Sequence, residues 1–348
     1  MEKLANYELN APGFYNRQGA SDIRKIDYEA LQAAAIDWQK QNQIFPAAKD
    51  RFRIALMPID TQLTFCHPDF ELYVGGRSGN GAVEDNIRLG DFIYRNLRVI
   101  TEIDPTMDTH TVMQIFHQVF WVNDKGEYPA PMTIITLEDV EAGAWKVNPA
   151  AAKSIAGGNY IALKQYAEHY VRRLTEEGKY PLIIWPYHAM LGGIGHALVP
   201  NIEEAIFFHN LTRMSQTGFE IKGGNPLTEN YSVLRPEILT GPDGQAIAQK
   251  NARFIKKLLN FDAVIIAGQA KSHCVAWTIA DLLDEIAARD PKLAKKVYLM
   301  EDCTSSVVVP GIVDFTEQGD AAFERFARAG MNVVKSTDKI EDWLGINL

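Results

Sequence analysis

The sequence predicts an α/β fold, a parallel sheet covered by helices on both faces, on three observations. From Arg53 onward, short apolar runs alternate with longer helical patterns: RIALMPID, the helical VEDNIRLGDFIYRNL, then RVITEID, LIIWP, DAVIIAG, KVYLMED and NVVKS. Alternation of this kind is the mark of strand-helix-strand units and a parallel sheet. After DAVIIAG, Val275, Ile279, Leu282, Leu283 and Ile286 recur at helical spacing. Finally, 348 residues with 47% hydrophobic content can bury one large core or two smaller ones without disulfides.

Taken along the chain, residues 1–50 are polar and mixed, with one amphipathic helix expected around Tyr28 to Gln41, and read as an extension. Residues 51–348 form the main domain. Within it, residues from about 122 to 180 fit the alternation poorly and read as an insertion. That stretch holds the Ala/Gly-rich AAAKSIAGGN and then a helix with Leu163, Ala167, Tyr170 and Leu174 on one face. No repeat, low-complexity tract or linker points to a second independent domain.

Composition removes several classes of function. A net charge of −9 without a Lys/Arg run lacks the footprint of a nucleic-acid or acidic-membrane binder. MEKLANYELN carries charges where a signal peptide needs an apolar core, and no stretch approaches the roughly 18 apolar residues of a membrane span. A cytoplasmic protein acting on a small molecule is expected, with a second copy of the chain as its protein partner. Cys66, Cys274 and Cys303 are too few for a disulfide framework.

Cys274 is the candidate nucleophile. It follows DAVIIAG by six residues and is expected in the first turn of the next helix, where backbone amides and the helix dipole stabilise a thiolate. The carboxyl edge of a parallel sheet is also where ligands bind in this architecture. A buried structural cysteine is the alternative, and it is kept for Cys66 and Cys303. Asp60 ends RIALMPID and is delivered to the same edge, either as a reacting carboxylate or as a turn former. Lys222 ends TGFEI ahead of Gly223 and Gly224, and by itself is no more than an ordinary lysine.

A metal site is the second candidate. Asp108 and His110 in MDTH are two apart, which on extended backbone points both to one face. His117 lies in QIFHQVFW and His188 in WPYH. One carboxylate and up to three imidazoles suit zinc, iron or manganese; ordinary hydrogen-bonded histidines are the alternative. That alternative is adopted for His67, His169, His196 and His209, and for His273, which as the neighbour of Cys274 on a helix start should point elsewhere.

In order, the pieces DTQLTFC, MDTH, IFHQVFW, WPYHAMLGGIGHALVP, KGGNPLTENYSVL and IIAGQAKSHCVAWT resemble the nicotinamidases of the isochorismatase-like hydrolase superfamily, over residues 53–335 outside most of the insertion. The resemblance implies a three-layer, Rossmann-like fold with a six-stranded, mostly parallel sheet between helices. It implies a catalytic triad of Asp60, Lys222 and Cys274, and a divalent transition metal on Asp108, His110, His117 and His188. It makes Phe65 and Trp185 the aromatics lining the pocket. It places a cis peptide at Gln269-Ala270, with the amides of Ala270 and Cys274 as an oxyanion hole. The chain departs from the pattern at Thr109, at Ala189 and in the long spacing from His117 to His188. The implied activity is hydrolysis of a small, heteroaromatic amide to acid and ammonia. The alternatives are a related hydrolase for another amide or carbamoyl substrate, and a non-catalytic binder.

Overall fold

RIALMPID forms the strand Ile54–Ile59 and DAVIIAG the strand Ala263–Gly268, and every residue of both is buried. Strands buried on both faces belong at the centre of a helix-covered sheet. In this computed structural model, which describes residues 7–348, the two pair in parallel along their whole length. The full order is Asn332–Val334, Val297–Met300, Ala263–Gly268, Ile54–Ile59, Glu102–Ile103, and all four pairings are parallel. The expected α/β class is the observed one. Among the described residues, however, the sheet has five strands where six were expected.

One strand is shorter than its apolar run, and one run pairs elsewhere. RVITEID yields only Glu102–Ile103: Asp104 N–H still donates to the Leu56 carbonyl at 2.9 Å, but Pro105 after it cannot donate to a ladder. LIIWP was expected in the parallel sheet. Instead its strand, Leu182–Ile183, pairs antiparallel with Ile134–Ile135. An apolar run of this length carries no signal of pairing direction.

The chain gathers into two compact units. The first takes the chain up to Met107, then Ala197–Glu220 and Ala252–Leu348; the second takes Asp108–His196 and Ile221–Asn251. The expected insertion lies wholly inside the second unit, together with residues that the sequence reading gave to the main domain. Of the expected N-terminal extension, residues 1–6 lie outside the described residues.

In the first unit the helix Tyr28–Gln41 forms where expected, its amide at Ala30 capped by the Asp27 carboxylate. It packs on Pro200–Arg213, which in turn packs on Gly81–Arg95. Leu89, Phe92 and Ile93 of the last helix, with Ile202 and Phe208 of its neighbour, share one core with Leu56 and Ile265 of the sheet. Buried Arg213 secures the end of the extension by donating to the Asp50 carboxylate at 2.5 Å and to the Phe45 carbonyl at 2.6 Å. Removing one partner of a buried pair like this costs about 3–5 kcal/mol.

In the second unit the helix Tyr160–Glu176 buries Leu163, Ala167, Tyr170 and Leu174, the face its sequence marks out. Asn159 caps it, and Thr136 with Asp139 forms a reciprocal capping box on Leu137–Glu141. Short antiparallel pairs complete the unit, among them Trp121–Val122 with Lys146–Val147. No helix among the described residues is long and apolar enough to cross a membrane.

Candidate active site and metal centre

Cys274 belongs to the first unit. Beyond Gly268 the Gln269-Ala270 peptide is cis, and Lys271–Val275 forms a single π-helical turn before the α-helix Ala276–Arg289. Cys274 therefore precedes the first α-helical turn, in which it was expected. His273 and Val275 N–H both donate to the Ala270 carbonyl, at 3.0 and 3.2 Å. Lys271 N–H donates to the Ser305 carbonyl at 2.8 Å, and the Gln269 amide to the buried Asp85 carboxylate at 2.8 Å. These bonds hold the turn, and with it the buried Cys274, in one place.

Asp60 leaves the neighbouring strand at the same edge, one residue past the Ile59–Gly268 register pair. It is fully buried in a left-handed conformation, φ +46°. Its N–H donates to Thr106 Oγ1 at 3.1 Å while the Thr106 hydroxyl donates to its carboxylate. Left-handed backbone at a non-glycine residue is disfavoured and clusters at functional positions. Phe65 follows in the buried turn Leu63–Cys66.

The other thiols suit structural roles. Burial pushes both Cys66 and Cys303 up, which opposes a thiolate at either. Burial likewise pushes His273 down to about 3; its Nδ1 lies 2.9 Å from Ser272 Oγ and its ring packs edge-on to Phe315. His209 is buried on the Ile100 carbonyl at 2.9 Å.

The second unit holds the metal candidates. Asp108, His110 and His188 are all buried and present ligand atoms within 4.8 Å of one another. His110 Nε2 lies 2.9 Å from Asp108 Oδ2, and His188 Nε2 lies 3.6 Å from the same oxygen. The other nitrogens settle the tautomers: His110 Nδ1 is 3.2 Å from the Gly223 carbonyl and His188 Nδ1 2.7 Å from the Pro186 carbonyl. A carbonyl only accepts, so each Nδ1 carries the proton. Each Nε2 therefore faces the Asp108 carboxylate either as the N–H donor of a protonated ring or, without that proton, as a ligand that shares a cation with it. The donor set and its outer hydrogen bonds thus fit a divalent transition metal.

Lys222 ends the strand Glu220–Lys222, and its ammonium donates to Asp108 Oδ1 at 2.8 Å. Burial alone would raise the Asp108 carboxyl, yet the His110 and Lys222 charges and hydrogen bonds from both imidazoles hold it well below the carboxylate range. His117 stands beside the cluster, its ring centroid 5.9 Å from His110 and 6.3 Å from His188. Its Nδ1 lies 3.1 Å from the Val112 carbonyl, and its buried Nε2 has no hydrogen-bond partner. Trp185 is buried 6.5 Å from the His188 ring, its indole N–H donating to Tyr231 Oη at 3.1 Å.

Gly223 is what lets this cluster close. At φ +89°, an added Cβ would lie 2.8 Å from both Asp108 Oδ1 and His110 Cε1. Gly223→Ala should therefore lower zinc affinity at least tenfold, within the about 10–100-fold range for disturbed outer-shell groups. Calorimetric titration of metal-stripped protein checks this, and unchanged affinity would contradict the assignment of the cluster as a metal site.

Neither a family model nor a curated protein matches the sequence. Solved structures do. An Acinetobacter baumanii nicotinamidase/pyrazinamidase superposes with a TM-score of 0.50 at 18% identity, over 83% of this chain and 99% of its own. The yeast nicotinamidase bound to the inhibitor nicotinaldehyde superposes at 0.50 with 19% identity, over 81% and 99%. The chain has the nicotinamidase fold. Within that fold, Asp60 and Cys274 sit at adjacent strand ends of the first unit, while Asp108, His110, His188 and Lys222 cluster in the second.

The nicotinamidase-fold structure adds residues that sequence reasoning passed over. Burial first, then the Asp108 carboxylate, push Glu229 up to about 8, so it keeps its proton at neutral pH. Gln114 donates to the Gly223 carbonyl at 2.6 Å, and Thr106 brackets Asp60 from both sides. Glu229 stands seven residues beyond Lys222 in an irregular segment, where no periodicity marks it.

Proposed function

We propose that the chain is a cytoplasmic cysteine amidohydrolase of the nicotinamidase type, cleaving a small heteroaromatic amide to its acid and ammonia. The observation that carries the reading is the delivery of Asp60 and Cys274 to one carboxyl edge by the paired central strands of the sheet. In this reading Asp60 takes the thiol proton, and Cys274 Sγ attacks the amide carbonyl. The tetrahedral oxyanion is met by the backbone amides of Ala270 and Cys274. As the C–N bond breaks, Asp60 returns the proton to the departing ammonia. Water then cleaves the thioester and releases the acid.

Lys222 supplies the positive charge of the triad, and Phe65 and Trp185 supply aromatic faces for the ring. A zinc, iron or manganese ion on Asp108, His110 and His188, with His117 as a further donor, would act as a Lewis acid toward a ring nitrogen or a water. Two supports are independent of each other: the fold shared with the two nicotinamidases, and the buried Asp–His–His group.

Ammonia release from nicotinamide, pyrazinamide and carbamoyl compounds, with consumption of nitrogen-free isochorismate followed separately, tests the reading and sorts the substrates. The pyridine and pyrazine amides should turn over fastest. Release from none of the amides or carbamoyl compounds would reject the amidase and leave a binding protein.

A further inference from the structure

The second unit contains a hollow of about 130 Å³ against its long helix, formed where Leu137–Glu141 and the Lys146–Val147 strand meet Tyr160–Glu176. Its lining divides into two chemistries. Buried Trp121, Val147 and Ala167 and half-buried Trp145 are apolar, and two of these are indoles. Lys146 and Lys164 line the same space. Lys146 is engaged by Asp124, and the one carboxylate in the lining, Glu141, is engaged by Arg172 at 2.8 Å. Among the described residues no carboxylate pairs with Lys164, so its ammonium is the cation left to meet a ligand.

We propose that this hollow is a second ligand site, sharing no residue with the Asp108 cluster, for a small planar aromatic carboxylate. The ring lies against indole and aliphatic surface, which reward a flat apolar body. The carboxylate meets Lys164, and a neutral amide of the same shape forgoes that charge-assisted bond. Pockets for drug-sized ligands run to about 300–1,000 Å³, so this smaller space suits a single ring with its acid group better than a fused-ring acid. In a chain of net charge −9, a hollow whose one unengaged charge is the Lys164 ammonium selects for an anion locally, against the overall field. The site does not depend on the amidase reading, although an aromatic acid is the class of product that reaction would release.

The test is binding, not turnover. Benzoate, benzamide and 2-naphthoate are titrated into the full-length protein and followed by calorimetry and tryptophan fluorescence. Benzoate should bind at least tenfold more tightly than the other two and change the fluorescence. Lys164→Glu, at an exposed position on a helix surface, should weaken benzoate at least tenfold, and Lys164→Gln by a smaller factor. Trp145→Phe should remove most of the optical signal while calorimetric affinity stays within threefold. Equal binding of benzoate and benzamide, an unaltered affinity in Lys164→Glu, or no binding at millimolar benzoate would each overturn the proposal. Because none of these readouts needs hydrolysis, their failure is distinct from failure of the amidase assay.

Discussion

Cys274→Ala should lower amide hydrolysis on the order of 10⁴-fold or more while leaving the fold intact, as expected when a sole nucleophile is deleted from a covalent mechanism. Sγ is buried, but replacing a thiol by a methyl group removes one heavy atom and leaves little cavity. The hydrogen bonds of its turn run through backbone groups of Ala270, Lys271, His273 and Val275, which the substitution does not touch. An aldehyde analogue of a substrate amide gives a second readout: a thiol adds to an aldehyde carbonyl, so the compound should inhibit the wild-type protein reversibly and bind the alanine variant far more weakly. Cys66→Ala and Cys303→Ala should stay active, because burial disfavours a thiolate at both sites. Near-normal ammonia release by Cys274→Ala on any good substrate would remove the proposed mechanism.

What the sequence made legible follows from where each residue sits in a regular pattern. Asp60 and Cys274 could be placed because each follows a long apolar run whose end marks a strand end, and parallel strands put their carboxyl ends on one edge. Asp108 and His110 could be paired because a spacing of two has only one meaning on extended backbone. His117 could not be placed relative to them, since its segment has no period; in the structure it stands beside the cluster. Periodicity found the helices Tyr28–Gln41 and Tyr160–Glu176, yet it could not tell that LIIWP pairs antiparallel, because pairing direction is decided by partners distant in sequence. Nor could it show Glu229, which matters through burial and a neighbouring charge, both tertiary properties. The π-helical turn at Cys274 escaped for a similar reason: one extra residue in a turn leaves the apolar spacing after it unaltered.

Gly268→Ala is the substitution expected to damage the protein most broadly. Gly268 is the last residue of its strand, opposite Ile59, and its φ is +107°, a conformation that costs any side chain dearly. A Cβ there would lie 2.1 Å from the Ile59 carbonyl oxygen and 2.5 Å from the Ile59 nitrogen. Those atoms are backbone in the middle of the sheet, so no side-chain rotation relieves the clash, and the two central strands must separate. Overpacking a core costs about 1–3 kcal/mol and at times more, and the unfavourable φ adds about 1–3 kcal/mol. Together they amount to a large share of a typical domain's roughly 5–15 kcal/mol. The same displacement would shift Asp60, which follows Ile59 directly, so any folded fraction should also lose hydrolysis. Urea unfolding of the first unit, followed through its buried Trp343, should show a midpoint lowered by an amount matching several kcal/mol. A wild-type midpoint would mean that the strand edge yields more easily than its packing implies, and the close approach of Gly268 to Ile59 would no longer explain a glycine at this position.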